Sequence, residues 1–255
     1  MSLYLYGLMP AACAGSVRQP GLHGLQDAPV TLRCVGDVAV ICSEHDGREI
    51  RRTRRQMRAH TQVLEHLVDR APVLPMRFGL VAASLDEVEP PLAAADDRIA
   101  AEFARIDGQV EIGLRIAWPR EAALGRLLEA EPALARARDA LQGRGADAHF
   151  ERIELGRRVA EALDRRRTSA QHALAGRIAP RCTEHLLRVP ESDVEVLRME
   201  CLVPSDRQGT LAEAAEAAAA EVDFAGASEP EIRLIGPLPP FNFVELSLWP
   251  AGEAA

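Results

Sequence analysis

Apolar and polar residues exchange places along this chain with two periods, about two and about 3.6 residues, and the switches between them mark its elements. Near the start, Leu3, Leu5 and Met9 alternate with Tyr4 and Tyr6, the spacing of a strand. Residues 10–29 carry Pro10, Gly15, Pro20, Gly21, Gly24 and Pro29 and read as a loop. Val30 to Cys34 and Val38 to Cys42 are β-prone runs around Gly36-Asp37, a hairpin signal. From Glu49 to Ala71 the period lengthens. Ile50, Met57 and Leu64 form a stripe that Leu67 and Val68 continue. Arg48, Arg51, Arg52, Arg54, Arg55 and Arg58 lie opposite it, which predicts a helix ended by Pro72. Ser84 or Asp86 caps a short helix, and Pro90-Pro91 opens another that runs to about Ile106.

Asp107-Gly108 breaks the pattern. Beyond it Val110, Ile112, Leu114, Ile116 and Trp118 alternate with Glu111, Gly113, Arg115 and Ala117, the clearest strand in the chain. Arg120 to about Leu187 is rich in Ala, Arg, Glu and Leu, a helical composition that suits two antiparallel helices or a short helical hairpin. Val194 to Val203 is a strand with Leu197, Met199, Cys201 and Val203 on one face. Leu211, Ala215, Ala218 and Val222 form a helix stripe. Glu231 to Ile235 is a strand, Gly236 to Pro240 a rigid turn, and Phe241 to Trp249 a last strand. The fold class is α+β with two domains, 1–107 and 108–255. The second is a ferredoxin-like antiparallel sheet with a helical insertion over about 120–188.

Residues 71–80, Ala-Pro-Val-Leu-Pro-Met-Arg-Phe-Gly-Leu, form a stiff apolar run with one cation, Arg77, inside it. A guanidinium is not neutralised, so Arg77 needs an acceptor or water. Two readings follow, a buried ion pair that anchors a core strand or a residue at an interface.

The 255 residues give room for one large domain or two of about 100–150 each. Aromatics are only 4% of a chain that is 47% hydrophobic, so the cores are built from Leu, Val, Ile and Ala. No apolar stretch approaches the roughly 20 residues of a membrane helix. The N-terminus lacks a basic region and alternates like a strand, so a signal peptide is not expected and the cytoplasm is. Cys13, Cys34, Cys42, Cys182 and Cys201 contain no CxxC pair and read as free thiols. A net charge of −8 disfavours general nucleic-acid binding.

The search for chemistry is mostly empty. No dinucleotide loop, phosphate loop or nucleophile elbow is present, and Gly143-Arg-Gly145 is a lone GxG. Cys182-Thr-Glu-His185 has CxxH spacing, on a helix by this reading, yet no second pair completes a zinc site. His60 and His66 are ordinary helix histidines, and Asp96-Asp97 and Glu87 with Glu89 solvate helix ends. No metal, cofactor or catalytic set is expected. Arg51, Arg55, Arg58 and Arg77 are the candidate partner-binding residues.

Four stretches, in order, resemble the GvpF/GvpL family of gas vesicle proteins: Leu3-Tyr-Leu-Tyr-Gly7, Val73-Leu-Pro-Met-Arg-Phe-Gly79, Asp107 to Trp118, and Gly236-Pro-Leu-Pro-Pro-Phe-Asn-Phe-Val244. Arg152 to Arg157 and Val159 to Leu163 are similar to the family's central helix. Leu238 departs from it where an aromatic is common. The resemblance implies two α+β domains and a non-enzymatic role as a minor component or assembly factor of gas vesicles. The partners implied are the small hydrophobic shell protein and other accessory proteins. An α+β ligand-binding protein or enzyme with an unrecognised site is the competing class, because fold alone does not fix function.

Overall fold

In the computed structural model, which describes residues 2–15, 17, 21–246 and 248, strand β1 (Ser2–Pro10) is buried on both faces. Pro20 and Trp249, used above in a loop and as a strand end, lie outside the described residues. A register shift between Leu5 and Gly7 resets the alternation of β1. Leu5 and Leu8 therefore point into one core, and Tyr4, Tyr6 and Met9 into another. The simple pattern, with both tyrosines opposite Leu3, Leu5 and Met9, does not survive this bulge.

β1 pairs antiparallel with β3 (Val38–His45), which pairs with β2 (Val30–Val35). On its other edge β1 meets two short strands, β4 (Leu74–Pro75) and β5 (Val81–Ala82). Helix α1 (Arg54–Val68) lays His60, Val63, Leu64 and Leu67 against the tyrosine face. It starts five residues later than the stripe suggests, because the Thr53 side chain caps it by accepting from the Gln56 N–H. Ile50 and Arg51 precede the helix. The opposite face packs against α2 (Leu85–Ala94) and α3 (Asp96–Ile106). Pro90 and Pro91 sit inside α2 and do not open the next helix; the break falls at Ala95.

The second sheet has the order β7-β8-β6-β9, from β6 (Gln109–Ala117), β7 (Glu184–Leu187), β8 (Glu195–Pro204) and β9 (Glu231–Leu238). Three helices, α4 (Arg120–Ala130), α5 (Pro132–Ala140) and α6 (His149–Ile178), separate the first two strands, and α7 (Gln208–Ala220) separates the last two. This is the order of a split βαβ, ferredoxin-like arrangement. Two sequence expectations need correction here. The helical region ends near Arg181, and Glu184–Leu187 is a strand, so Cys182 and His185 do not share a helix face. The insertion contains three helices, one of them 30 residues long, in place of a two-helix hairpin.

Contacts divide the chain into Met1–Glu111 with the segment from Gly236, and Ile112–Ile235. A continuous second domain over 108–255 is therefore not what the contacts give. The expected strand from Phe241 is also absent from the described residues. Proline lacks an N–H, and the chain turns, with Phe241 donating to the Pro239 carbonyl and Val244 to that of Pro240. Val244, Leu246 and Leu248 then fill the first unit's core without joining its ladder.

Candidate functional site

The first two signature stretches meet in one buried hydrogen-bond chain. Gly79 N–H donates to Tyr4 Oη at 3.1 Å, and Tyr4 Oη lies 2.8 Å from His60 Nδ1. His60 also bonds the backbone of Met76, whose N–H is already given to the Tyr6 carbonyl. Burial disfavours the imidazolium and lowers the His60 pKa from 6.5 to about 4. Burial likewise pushes the Tyr4 and Tyr6 phenols up. Tyr6 Oη accepts from Leu25 N–H at 2.8 Å and lies 2.9 Å from Ser43 Oγ. A Cβ at Gly24 would collide with that hydroxyl. The Tyr4 and Tyr6 hydroxyls are thus held by neutral partners.

This bracing decides where Arg77 goes. Met76 is buried, Phe78 packs on His60 and Tyr4, and Gly79 turns the chain at φ +95. Arg77 is exposed, and no described residue forms an ion pair with it. The reading of Arg77 as one half of a buried ion pair is overturned. The prolines and the Tyr4–His60 clamp hold the strand, and the guanidinium faces water.

Arg51, Arg55 and Arg58 are exposed too, as are Arg52 and Arg54, and none has an ion pair among the described residues. Because α1 begins at Arg54, these cations surround the positive end of its dipole, and its first turn has no acid. Met57 adds an apolar side chain, 48% exposed, among them. Arg55 and Arg58 share the helix surface at i,i+3, Arg51 sits on the lead-in, and Arg77 stands on a different element of the same unit.

The other two signature stretches also meet. Asn242 donates through its backbone N–H (2.8 Å) and its amide (2.5 Å) to the Glu111 carboxylate, which is 1% exposed. Arg105 donates to the Phe243 carbonyl at 2.8 Å. In the second unit Arg115 lies 2.7 Å from Glu200, both largely buried. Strict alternation assigns Glu111 and Arg115 to a solvated face. Their partners are 131 and 85 residues away, so no local signal could have found them.

Two concavities stand out among the described residues. One, of about 710 Å³, is lined by Trp118, Glu216, Gly226, Ser228 and Glu229; its lining has no histidine, cysteine or cation. The other is an apolar groove of about 450 Å³ between α5 and α6, beside Phe150, which is 81% exposed.

The family model described as "Gas vesicle synthesis protein GvpL/GvpF" matches residues 2–245. Gas vesicle protein F of a Streptomyces species is 28% identical over 247 residues, covering 96% of this chain and 100% of its own length. Gas vesicle protein F of Microcystis aeruginosa is 24% identical over 249 residues, covering 96% and 99%. The crystal structure of gas vesicle protein GvpF from an Anabaena species has a similar fold, with TM-score 0.77 and 23% identity over 96% of this chain and 99% of that one. The Microcystis aeruginosa GvpF structure gives 0.71 at 24% identity, over 96% and 99%.

Proposed function

Given that the chain belongs to the gas vesicle synthesis protein GvpL/GvpF family, we propose that it acts without catalysis in the cytoplasm, as a minor component or assembly factor that binds the small hydrophobic shell protein during gas vesicle formation. A shell subunit exposes a large apolar surface before it assembles, and such surfaces aggregate unless covered. Arginine suits this task, because its apolar stem lies along hydrophobic surface while its head bonds carboxylates.

The observation that carries the reading is the set of cations without ion-pair partners at the start of α1. Cations at a helix N-terminus oppose the dipole and weaken the helix. A sequence that breaks a local rule without compensation inside its own fold points to a use outside it. Arg51, Arg55, Arg58 and Arg77 are the residues we place on the shell protein, with Met57 as the apolar contact among them.

Capture of purified shell protein by the immobilised chain tests this. Reversing Arg51, Arg55 and Arg58 to Glu lowers capture by about tenfold or more. The same change relieves the dipole, so the thermal midpoint holds or rises. Lost binding then cannot be blamed on unfolding. Capture at the wild-type level by the triple variant, and again by Arg77→Ala, removes this face from the reading. The exposed Phe150 beside the α5–α6 groove favours a second mode, in which an apolar helix docks there. Phe150→Ser would then lower capture where the arginine reversals do not.

A further inference from the structure

The cysteines of this chain stand in unlike settings. Cys34 is exposed on β2, and Cys42 is buried with its sulfur 3.6 Å from the Thr31 hydroxyl. Cys182 and Cys201 differ from these, because the fold brings the two together. Cys182 lies in the connection from the helical layer to β7. Its N–H donates to the Ala179 carbonyl, and its Sγ lies 3.9 Å from the Ile178 carbonyl in the last turn of α6. Ile178 is fully buried, so this sulfur stands at the layer between helix and sheet. Cys201 reaches the same layer from the sheet. On β8, Arg198 and Glu200 take one face, where Glu200 meets Arg115. Leu197, Met199, Cys201 and Val203 take the other, and all four are fully buried. α6 packs on β8, and the ladder sets Thr183 N–H on the Leu202 carbonyl at 2.8 Å and His185 opposite Cys201. The two thiols meet there in a side-chain hydrogen bond.

The two sulfurs are not equivalent. Cys182 is half-buried and sits outside any ladder, whereas Cys201 has no exposed surface and is fixed in a central strand. The bond from Cys201 favours a thiolate on Cys182 and holds that thiol below its ordinary range. The same bond, with burial, pushes Cys201 up. One sulfur is therefore within reach of solvent and nucleophilic, and the other is protonated directly behind it. That is the arrangement of an attacking thiol and a resolving thiol.

We infer that Cys182 and Cys201 form a disulfide when a low-molecular-weight disulfide such as oxidised glutathione oxidises them, and that the bond clamps the entry to β7 onto β8. The Cys182 thiolate attacks one sulfur of the small disulfide and expels one thiolate, leaving a mixed disulfide. Cys201 then loses its proton, its sulfur attacks Cys182 Sγ, and the second small thiolate leaves. The two cysteines give up two electrons and two protons, and the small disulfide takes them to become two thiols. The new bond closes residues 182–201 into a ring that contains β7 and Val189, which is 85% exposed. Such a ring restrains the opening of an exposed segment.

Peptide mapping by mass spectrometry tests this on the full chain, held in glutathione buffers from reduced to oxidised, quenched in acid, then unfolded and alkylated. In the oxidised buffer Cys182 is joined to Cys201 and neither takes up the alkylating reagent. Cys201→Ser keeps glutathione on Cys182, because nothing resolves the mixed disulfide. Cys182→Ser leaves the Cys201 thiol free. Amide exchange in β7 slows about tenfold or more in the oxidised wild type, and dithiothreitol restores it. Circular dichroism shows that the variants are folded, and the wild-type map does not depend on that control. Three results overturn the pairing: a wild type with glutathione on Cys182 and Cys201 free, both thiols free in the oxidised buffer, or loss of the Cys201 thiol in Cys182→Ser. Exchange in β7 that oxidation leaves unchanged overturns the clamp.

Discussion

The two units keep buried polar groups by opposite means. In the first, a neutral chain from Gly79 through Tyr4 and His60 to Met76 ties a loop to a helix. In the second, a charged pair, Arg115 with Glu200, does the corresponding work on the sheet. The contrast extends to the surface. Several arginines of the second unit have acid partners, among them Arg126 with Asp223, Arg157 with Glu154 and Glu161, Arg177 with Glu221, and Arg198 with Glu191. Those around the start of α1 have none among the described residues. The first unit pairs arginines elsewhere as well, Arg48 with Asp46 and Arg105 with Glu102, and leaves those at the start of α1 alone. Their isolation in the first unit is then a property of that face, and binding is the use that fits it.

The difference is broken most forcefully at Arg115. Glu200→Ala leaves a largely buried guanidinium with the Leu114 and Met199 carbonyls and with Glu195, at 4.0 Å, as its nearest remaining acid, and costs about 4 kcal/mol in denaturant unfolding. Replacing both partners, Arg115→Met with Glu200→Leu, regains most of that, because the cost lies in the orphaned charge. A single variant that loses under about 1 kcal/mol would show that the pair is not structural.

Acid tests the first unit instead. The unfolded chain takes up a proton at His60 near pH 6.5, the folded chain only near 4. Between these values the unfolded state holds more protons, so stability is full above about 6.5 and is lost as pH falls toward 4. The loss attributable to His60 approaches about 3 kcal/mol. It is read as the difference in pH dependence between the wild type and His60→Gln. Parallel curves for the two proteins would mean that His60 titrates alike in both states.

What the sequence discloses follows from how local each cause is. β6 and β8 are legible because their apolar alternation reports burial directly, and the α7 stripe is legible for the same reason. The start of α1 is legible in hindsight, since Thr53-Arg-Arg-Gln56 is a capping-box sequence that the longer Ile50 stripe masks. β7 is hidden because a short, exposed strand needs no alternation, and its composition passes for helix. The outward turn of Arg77 and the burial of Glu111 depend on Tyr4, His60 and Asn242, all remote in sequence. The four stretches that carry the family resemblance are the places where such remote contacts occur. Two of them build the Tyr4–Gly79 link and two the Glu111–Asn242 link. Periodicity found the elements, and the contacts between the stretches explain why those residues and not others fill them.

A smaller effect separates the clamp from simple packing. Tyr4→Phe keeps the ring against His60 and Phe78 but leaves the Gly79 N–H and His60 Nδ1 without a partner, at a cost of about 2 kcal/mol. Amide exchange at Gly79 quickens, while exchange in β8 follows only the global change. Protection at Gly79 equal to the wild type would show that the turn holds without the hydroxyl.

The smallest expected effect is also the sharpest comparison. Arg157 makes two charge-assisted contacts, yet its side chain is 57% exposed and those of Glu154 and Glu161 are 55% and 51%. Water and salt screen such a network, so Arg157→Ala leaves the melting temperature within about 1 °C of the wild type. Arg55→Ala, with no described partner to lose, is equally silent in stability. Shell-protein capture divides the two variants: it falls for Arg55→Ala and holds for Arg157→Ala. If both lowered capture equally, the determinant would be net charge and not the face at the start of α1. If neither did, the isolation of the first unit's arginines would have no bearing on the shell protein.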